Sequence, residues 1–275
     1  MRRACGKIFL EVSSLFVYTF WEPRESIPFY LRLCMETWKK FLPNATIVVL
    51  NYKNINEFLD VRELGLNLFS DRRFSFMHVS DALRVALLAK RGGVWLDIDT
   101  IILSSDAEKY FLPDKKHRTI FFGDPNGKGC YTAFINAPPS AMCMNLWREF
   151  NSEKLWNLNS ATAVGWDFFS NSFINDYAQN FPDEIKIFDN RSVMPEISSG
   201  VESTEETYTK YYFLENFHLA DVTAELLLLH NSWTPPFIKT SDAKKFWSFD
   251  CTLVNILADT LGISLPAERR RLVKK

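Results

Sequence analysis

The stretch Ser80–Leu103 decides the fold, and it reads SDALRVALLAKRGGVWLDIDTIIL. Its first part continues a helical pattern over Phe76–Ala89, which the glycine pair further along is expected to stop. The short apolar run Val94–Leu96 is predicted to form a buried strand that runs straight into Asp97-Ile98-Asp99 and continues beyond it. A helix followed by a buried strand with acidic residues at its end is therefore the centre of the predicted fold.

The segments on the N-terminal side predict an α/β fold. The run Ser14–Trp21 is β-branched and aromatic and ends near a proline, so we expect a buried strand there. Pro28–Phe41 has apolar residues at helical spacing, and Thr46–Leu50 is a second buried strand. Strand, helix and strand in this order are typical of a βαβ unit, whose strands are parallel.

The rest of the chain is expected to add strands, helices and one exposed loop. We predict strands at Thr119–Phe122 and Thr132–Ile135, a helical region broken near Gly165 over Ala141–Ala178, an acidic surface loop over Glu196–Thr209, and a last apolar run at Ala224–Leu229.

The composition describes a folded protein and gives no support to nucleic-acid binding. The chain has 275 residues, 47% of them hydrophobic, which is enough apolar material for one large domain with a sizeable core. Its formal net charge is −1, without the positive excess that nucleic-acid binding requires. We expect no nucleic-acid partner.

Compartment and membrane contact are predicted from the cysteines and the apolar runs. The five cysteines are scattered and form no C-x-x-C pair, so neither a zinc site nor a disulfide framework is supported, and a reducing compartment fits better. The first residues faintly imitate a signal peptide, but Glu11 interrupts the apolar run and no small-residue cleavage site follows. No apolar run is long enough to span a bilayer. We expect a soluble, cytoplasmic protein.

Asp97 and Asp99 are suited to hold a divalent cation. At a strand end, the period of two would place both side chains on the same side. Mg²⁺ and Mn²⁺ prefer oxygen ligands and are usually held by one or two carboxylates together with phosphate oxygens. A chain this long contains roughly one such pair by chance at about 5% aspartate, commonly in a solvated loop. Here the buried strand places the pair at the carboxyl edge of a parallel sheet, where ligands bind in open α/β folds.

Asp81 and Arg84 form a second feature on the preceding helix. They are three residues apart and so lie on one helix face. One interpretation is a local ion pair of little energetic value. The other is that Asp81 accepts hydrogen bonds from sugar or ribose hydroxyls while Arg84 donates to the same sugar or to a phosphate.

The combination of Ser80-Asp81-x-x-Arg84 with Gly92-Gly93-x-x-x-Asp97-x-Asp99 resembles the signature of the DxD-containing retaining glycosyltransferases. That group includes capsular polysaccharide synthesis transferases and the yeast initiating mannosyltransferase, and the pattern is more distantly similar to the catalytic cores of the clostridial glucosylating toxins. The predicted elements before it, up to Leu50, also look like the capsular-type transferases. The resemblance covers roughly residues 1–105 well and the rest only in patches.

The resemblance implies a GT-A fold, the Rossmann-like fold of nucleotide-diphospho-sugar transferases, with helical additions on the acceptor side. It implies one domain over 1–275, with a nucleotide-sugar half at 1–105, an acceptor side and closing loop at 106–265, and a basic tail at 266–275. The implied activity is the transfer of a hexose or N-acetylhexosamine from a UDP-sugar, the preferred donor, to a glycan hydroxyl with retention of configuration. Mn²⁺ or Mg²⁺ is the implied cofactor.

The resemblance also implies roles for individual residues. Asp99 is expected to be the direct metal ligand, and Asp97 to bridge to ribose or metal-bound water. In such transferases a late loop closes over the diphosphate, which implies His230 as a metal or phosphate ligand and Ser232 and Trp233 as part of a lid. A hydrogen-bonded histidine and a core tryptophan are the alternatives.

The first strand and its loop hold the base in such folds, which implies Tyr18, Thr19 and Trp21, although these could equally be buried strand residues. Thr132 stands where the family often has asparagine, which leaves the donor-sugar contact open. An inverting reaction would need a carboxylate base near the acceptor, with Asp167 or Asp124 as candidates.

Other functions and partners remain open from the sequence. A metal-dependent nucleotidyltransferase or phosphodiesterase also uses paired aspartates, and a non-catalytic carbohydrate-binding protein is a third interpretation. The acceptor is expected to be a glycan or a lipid-linked glycan. The basic tail, with Arg269, Arg270, Arg271, Lys274 and Lys275, could add weak contact with the inner face of an anionic membrane.

Overall fold

A computed structural model describes residues 15–64, 68–69, 71–124, 129–169, 171–197 and 203–271. The strands are β1 Phe16–Phe20, β2 Thr46–Leu50, β3 Gly93–Leu96, β4 Thr100–Ile102, β5 Thr119–Asp124, β6 Gly129–Ala137, β7 Ile185–Asp189, β8 Leu226–Leu228, β9 Phe249–Asp250 and β10 Arg270–Arg271. The helices are α1 Phe29–Phe41, α2 Ile55–Phe58, α3 Phe76–Arg91, α4 Glu108–Phe111, α5 Met142–Trp156, α6 Asn171–Asn180, α7 Glu205–Thr209, α8 Pro236–Lys239, α9 Ala243–Trp247 and α10 Thr252–Leu261.

The central sheet has six strands in the order β2-β1-β3-β6-β5-β7. Strands β2, β1 and β3 are parallel, β6 is antiparallel to both β3 and β5, and β7 is parallel to β5. The predicted βαβ unit is β1-α1-β2, and it lies at one edge of this sheet. The predicted α/β class with a parallel arrangement around β1 is confirmed.

Both faces of the sheet are covered, because successive side chains along a strand point to opposite faces. In β1, Tyr18 packs into the cluster formed with α3 and α5, while its neighbour Val17 packs into a second cluster that includes α1 and β8. In β3, Trp95 joins the first cluster and Val94 the second. The strands that carry the site are therefore held on both sides. A third apolar cluster lies among α1, α10 and the C-terminal elements.

The predicted strand through the aspartates is wrong at one point. Strand β3 ends at Leu96, the next residues form a turn closed by a hydrogen bond from the Thr100 amide to the Asp97 carbonyl oxygen (3.0 Å), and β4 begins a different sheet. In that second sheet β4 pairs antiparallel with β8. Helix α1 holds β4 there, since Trp38 Nε1 donates to the Thr100 carbonyl oxygen (2.7 Å). The argument from a period of two therefore does not apply to Asp97 and Asp99.

Two further expectations need correction. The segment predicted as an acidic surface loop has a buried glutamate, Glu196, and ends in helix α7 with a buried Tyr208; positions 198–202 lie outside the described residues. In the basic tail, Arg269 forms an ion pair with Asp250 (2.8 Å), and Arg271 lies 3.4 Å from the same carboxylate. These two arginines therefore have acidic partners within the fold. Lys274 and Lys275 lie outside the described residues.

Cys34, Cys130, Cys143 and Cys251 are free and buried, while Cys5 and the start of the chain considered as a signal peptide lie outside the described residues. A search of the described part of the chain finds no helix with both the length and the apolar character needed to cross a bilayer.

Candidate functional site

A cleft of about 500 Å³ opens where β1 and β3 end at their carboxyl termini. Helix α3 contributes its first turns, β6 contributes a stretch of its middle, and the segments before α6 and after β8 complete the walls. The lining residues are Phe20, Trp21, Glu22, Phe76, Met77, Ser80, Asp81, Arg84, Asp97, Ile98, Asp99, Tyr131, Thr132, Ala133, Trp166, Asp167, Asn171, Met194, Leu228, Leu229, His230, Asn231 and Ser232.

The turn after β3 fixes Asp97 through its backbone and its side chain. Its amide donates to the carbonyl oxygen of Ala133 on β6 (2.8 Å), and its Oδ1 accepts a hydrogen bond from Trp95 Nε1 (2.8 Å). Ile98 points into the apolar cluster of the C-terminal elements, which anchors the middle of the turn. The Asp97 carboxylate is consequently held in one orientation before any ligand binds.

Asp99 is held from the opposite side of the cleft. It is buried, and its Oδ2 accepts a short hydrogen bond from the backbone amide of Asn231 (2.6 Å). The Tyr30 hydroxyl on α1 donates to the side-chain oxygen of Asn231, which ties the loop to the helix. The turn that follows β3 and the loop that follows β8 are thus joined through Asp99.

Arg84 links the two acidic features that the sequence singled out. Its Nη2 lies 3.0 Å from Asp81 Oδ1 and 3.3 Å from Asp97 Oδ1, and its Nη1 donates to the Thr132 carbonyl oxygen (2.6 Å). The guanidinium also lies over the Trp95 ring, 5.3 Å from its centroid. Because Arg84 is buried and has these partners, it holds the carboxylates in place.

The site carries more negative than positive charge. Burial, the largest cause, raises the pKa of Asp81 to about 6, with Arg84 acting in the opposite direction and Asp97 adding to the rise. Burial likewise raises the pKa of Asp99 to about 7, and the nearby Asp97 charge contributes further. Asp81 and Asp97 therefore share one guanidinium, and the buried Asp99 adds a third carboxyl group to the cleft. A cation bound between them would favour their ionised forms.

His230 lies at the cleft on the loop after β8. Burial lowers its pKa to about 4, so the ring is neutral at physiological pH. Its Nε2 is buried and has no hydrogen-bond partner among the described residues. The ring packs against Trp233, with centroids 4.1 Å apart, and meets Tyr208 edge-on at 5.5 Å. The unpartnered nitrogen of a neutral imidazole could bind a metal ion through its lone pair. In the tautomer that carries the proton there, it could donate a hydrogen bond to a phosphate oxygen.

The donor set fits a hard divalent cation that arrives with phosphate oxygens. Within the described ranges no three His, Cys, Asp or Glu side chains assemble into a metal-binding cluster, so Asp97, Asp99 and His230 are not gathered around one point. Mg²⁺ and its relatives are usually held by one or two carboxylates plus substrate phosphates, which needs no third protein ligand. The two carboxylates and the excess negative charge meet that requirement.

Most of the residues proposed from the sequence line the cleft: Trp21, Asp81, Arg84, Asp97, Asp99, His230 and Ser232. Tyr18 and Thr19 do not, because β1 turns both into the interior, where Thr19 Oγ1 has no partner among the described residues. Trp233 packs against His230 and a core cluster instead of lining the cleft. Of the two candidate bases, Asp167 lines the cleft and Asp124, at the end of β5, does not.

Several lining residues were missed by the sequence interpretation. Asn231 stands between two proposed residues, and only the fold shows that its backbone amide reaches Asp99. Trp166 and Asn171 flank Asp167 in a segment predicted simply as helical, so no periodic signal separated them. The break near Gly165 was the one available sign that this segment leaves a helix and returns to the cleft.

Comparison with solved structures finds similarity to glycosyltransferases at low sequence identity. The apo form of glycosyltransferase GlyE of Streptococcus pneumoniae is 10% identical with a TM-score of 0.47, and the match covers 91% of this chain and 64% of that one. A glycosyltransferase involved in glycosylation of the major capsid of PBCV-1 is 12% identical (TM-score 0.39; 84% and 98% covered). Galactosyltransferase LgtC, in complex with donor and acceptor sugar analogs, is 12% identical (TM-score 0.43; 92% and 98% covered).

The chain thus spans about two thirds of the length of GlyE. A comparison with curated proteins found no match. A sequence model of the family described as capsular polysaccharide synthesis protein matches residues 8–153, which is 146 of 275 residues and more than half of the chain. The protein belongs to this capsular polysaccharide synthesis family.

Proposed function

We propose that the protein is a metal-dependent glycosyltransferase of the GT-A type. It moves a hexose or N-acetylhexosamine from a nucleotide-diphosphate sugar, preferably UDP-linked, to a hydroxyl of a glycan acceptor in surface polysaccharide synthesis, with retention of configuration. One observation carries the proposal: Asp81, Arg84, Asp97 and Asp99 meet in one cleft at the carboxyl ends of β1 and β3. Open α/β sheets bind their ligands at that edge.

The proposed roles follow from where each side chain is held. Asp97 and Asp99 are the residues to hold Mn²⁺ or Mg²⁺, with His230 as a further ligand or a phosphate contact. Such an ion, when bound, supplies Lewis-acid compensation for the charge on a departing diphosphate. Asp81, with part of its carboxylate facing the cleft, accepts hydrogen bonds from sugar hydroxyls, and Arg84 keeps Asp81 and Asp97 in position.

Retention is part of the proposal and comes from the family resemblance. The bond between the anomeric carbon and the phosphate oxygen breaks, and a bond to the acceptor oxygen forms on the same face. The acceptor proton passes to the departing phosphate oxygen. These steps need no enzymatic base. Asp97, held by Arg84 and Trp95, and Asp99, held by the backbone amide of Asn231, are already oriented before charge develops. If the configuration is instead inverted, Asp167 is the candidate base, since it lines the cleft and Asp124 does not.

The decisive experiment separates transferase, nucleotidyltransferase and binding protein. Calorimetry with UDP in the presence and absence of Mn²⁺ tests metal-dependent nucleotide binding, and sugar release from a panel of nucleotide-sugars tests turnover. We expect binding only with the metal, and Asp97→Ala or Asp99→Ala to lower turnover at least about a hundredfold. Asp106→Ala, an exposed acid outside the cleft, is the matched control and should leave turnover unchanged.

Full metal-dependent turnover in both aspartate variants would refute the proposal. Binding of UDP without turnover of any nucleotide-sugar would favour a non-catalytic carbohydrate-binding protein. Cleavage between the two phosphates would favour a nucleotidyltransferase or a phosphodiesterase.

A further inference from the structure

Trp166 is an unusual residue for a cleft wall because most of its surface faces water. It lines the cleft, yet 72% of the residue is exposed. A large aromatic side chain left in solvent forgoes the free energy that burial would provide, so an exposed one beside a site commonly marks a binding surface. Trp166 lies in the loop between α5 and α6, residues 157–169.

This loop is tied down at three carbonyl oxygens that precede the tryptophan. Arg73 donates from Nη1 to the carbonyl oxygens of Asn159 and Thr162, at 2.8 and 3.0 Å. His78, one turn into α3, donates from Nε2 to the carbonyl oxygen of Gly165 (2.9 Å). The residue next to Trp166 is therefore fixed to the same helix that carries Asp81 and Arg84, so the indole is presented at a defined place on the rim.

Polar groups stand next to the indole on the same wall. Asp167 and Asn171 both line the cleft, and the backbone N–H of Asn171 donates to Asp167 Oδ1 (3.1 Å). An aromatic face beside a carboxylate and an amide matches the chemistry of a pyranose. Such a ring offers an apolar face of C–H groups for stacking and hydroxyls at its edge for hydrogen bonds. A uracil base could also stack on the indole, but its edge has only two carbonyl oxygens and one N–H, whereas a pyranose has a hydroxyl on most of its ring carbons.

The position favours the acceptor over the donor nucleoside. In open α/β sheets the nucleotide lies outside the carboxyl ends of the parallel strands, which here places it near the end of β1. Trp166 instead belongs to the part of the chain that follows β6. A second, open cavity of about 690 Å³ adjoins the cleft at this loop, because Asp167 lines both spaces. A sugar stacked on Trp166 would thus have room beyond it for the rest of a glycan chain.

We propose that Trp166 is the stacking platform for the terminal sugar of the acceptor glycan, with Asp167 and Asn171 as its hydroxyl partners. The proposal rests on the proposed transferase function and assigns the acceptor position within the same cleft.

The test uses simple sugars as probes, because the acceptor is not identified. Methyl glycosides of glucose, galactose and mannose are each mixed at high millimolar concentration with the full chain in the presence of UDP and Mg²⁺, which is diamagnetic and leaves the sugar signals sharp. Saturation-transfer NMR then reports which sugar protons touch the protein. At least one glycoside should receive saturation on the protons of one ring face. Trp166→Ala should weaken that binding about tenfold, and Trp166→Phe should retain most of it.

Trp156→Ala is the matched control. Trp156 is 89% exposed, lies ten residues earlier at the end of α5, and does not line the cleft, so its removal should leave the saturation pattern unchanged. Equal saturation in wild type and Trp166→Ala would overturn the proposal, as would an absence of saturation in the wild type with all three glycosides. Both results leave metal-dependent UDP binding intact. If the wild-type protein does not bind UDP in the presence of the metal, the transferase function is refuted instead.

Discussion

At the scale of single residues, Arg84 shows how a charged side chain can be part of the interior of a site. It is buried, it has two aspartates within 3.3 Å, and it donates to a backbone oxygen of β6. A guanidinium can serve several acceptors in one plane, which a compact ammonium cannot do. The sequence interpretation left two roles open for Arg84, an ion pair with Asp81 or a hydrogen bond to the sugar or a phosphate. The structure contains the ion pair, and its geometry supports a role in positioning carboxylates.

Removing Arg84 should destabilise the whole chain. Arg84→Ala leaves the partly buried carboxyl groups of Asp81 and Asp97 without their cation, and we expect the free energy of unfolding to fall by about 2 kcal/mol. Arg84→Lys should recover part of this loss but not all, because one ammonium cannot span both aspartates and the Thr132 carbonyl. Urea unfolding measures the effect. Arg191→Ala, which breaks an exposed pair with Asp189, is the control, and an equal loss in both alanine variants would contradict the prediction.

Glu196 gives a pH-dependent contribution to stability. It is buried and accepts a hydrogen bond from Tyr212 (3.4 Å), and burial raises the pKa of its carboxyl from 4.5 to about 7. The folded state therefore holds this proton more tightly than the unfolded state does. Its stabilising effect is complete below pH 4.5 and is lost as the pH rises through about 7.

Glu196→Gln should remove the loss of stability that occurs as the pH rises, because glutamine does not titrate. Between pH 5 and pH 8 the variant should gain on the order of 2 kcal/mol in unfolding free energy relative to wild type, since one pKa unit corresponds to about 1.4 kcal/mol. Urea unfolding at both pH values checks this, with the exposed Glu149→Gln as control. A constant difference between variant and wild type across the pH range would show that Glu196 does not titrate in this way.

At the scale of elements, the junction between α3 and β3 depends on glycine. Gly92 has φ 64° and ψ −164°, a region that glycine alone adopts readily. A Cβ atom there would lie 2.5 Å from the backbone nitrogen of Pro139. The helix that carries Asp81 can therefore turn directly into the strand that leads to Asp97 only because position 92 has no side chain.

Gly92→Ala should lower the free energy of unfolding by about 3 kcal/mol, through backbone strain and the contact with Pro139 together. Gly262→Ala separates the two causes. Gly262 also has a positive φ, 72°, but no described atom lies within 4 Å of its Cβ position. That variant should lose only about 1 kcal/mol. Thermal or urea unfolding decides the matter, and similar losses at both positions would mean that the Pro139 contact relaxes without cost.

The elements around the site were largely predictable, and the turn within it was not. The strands at β1 and β2 and the helices α1 and α3 follow from apolar periodicity, which local sequence carries directly. The break after Leu96 depends on pairing with β8, more than a hundred residues later, and a single sequence has no signal for that partner. For the same reason the sequence could not predict that Asn231 contacts Asp99. It also could not show whether the Tyr18 side chain faces the cleft or the interior.

At the scale of the whole molecule, the cleft is built from distant parts of the chain. Asp81, Arg84 and Asp97 come from the first half, Asp167 follows β6, and the loop with Asn231 follows β8. The hydrogen bond from the Asn231 amide to Asp99 connects the last part to the first. A ligand that contacts both parts should consequently stabilise the entire fold against unfolding.

UDP together with Mn²⁺ should raise the melting temperature by roughly 5–10 °C at a hundredfold excess over the dissociation constant. Chelation of the metal with EDTA should return the value to that of the free protein, because the diphosphate then meets an uncompensated group of carboxylates. Differential scanning fluorimetry measures both. Asp97→Ala should show no such shift, while an equal shift in the presence of EDTA would contradict metal-dependent binding.

The turn between β3 and β4 has a consequence for how substitutions far from the cleft act. Asp97 follows the last residue of the six-stranded sheet, and Asp99 precedes the first residue of the two-stranded sheet. The separation of the two carboxylates therefore depends on how the two sheets are positioned relative to each other. Apolar substitutions at Ile102 or Leu226, where the second sheet packs, would change the separation of the two carboxylates. They would thereby alter the affinity of the site for a cation, although neither residue contacts the site.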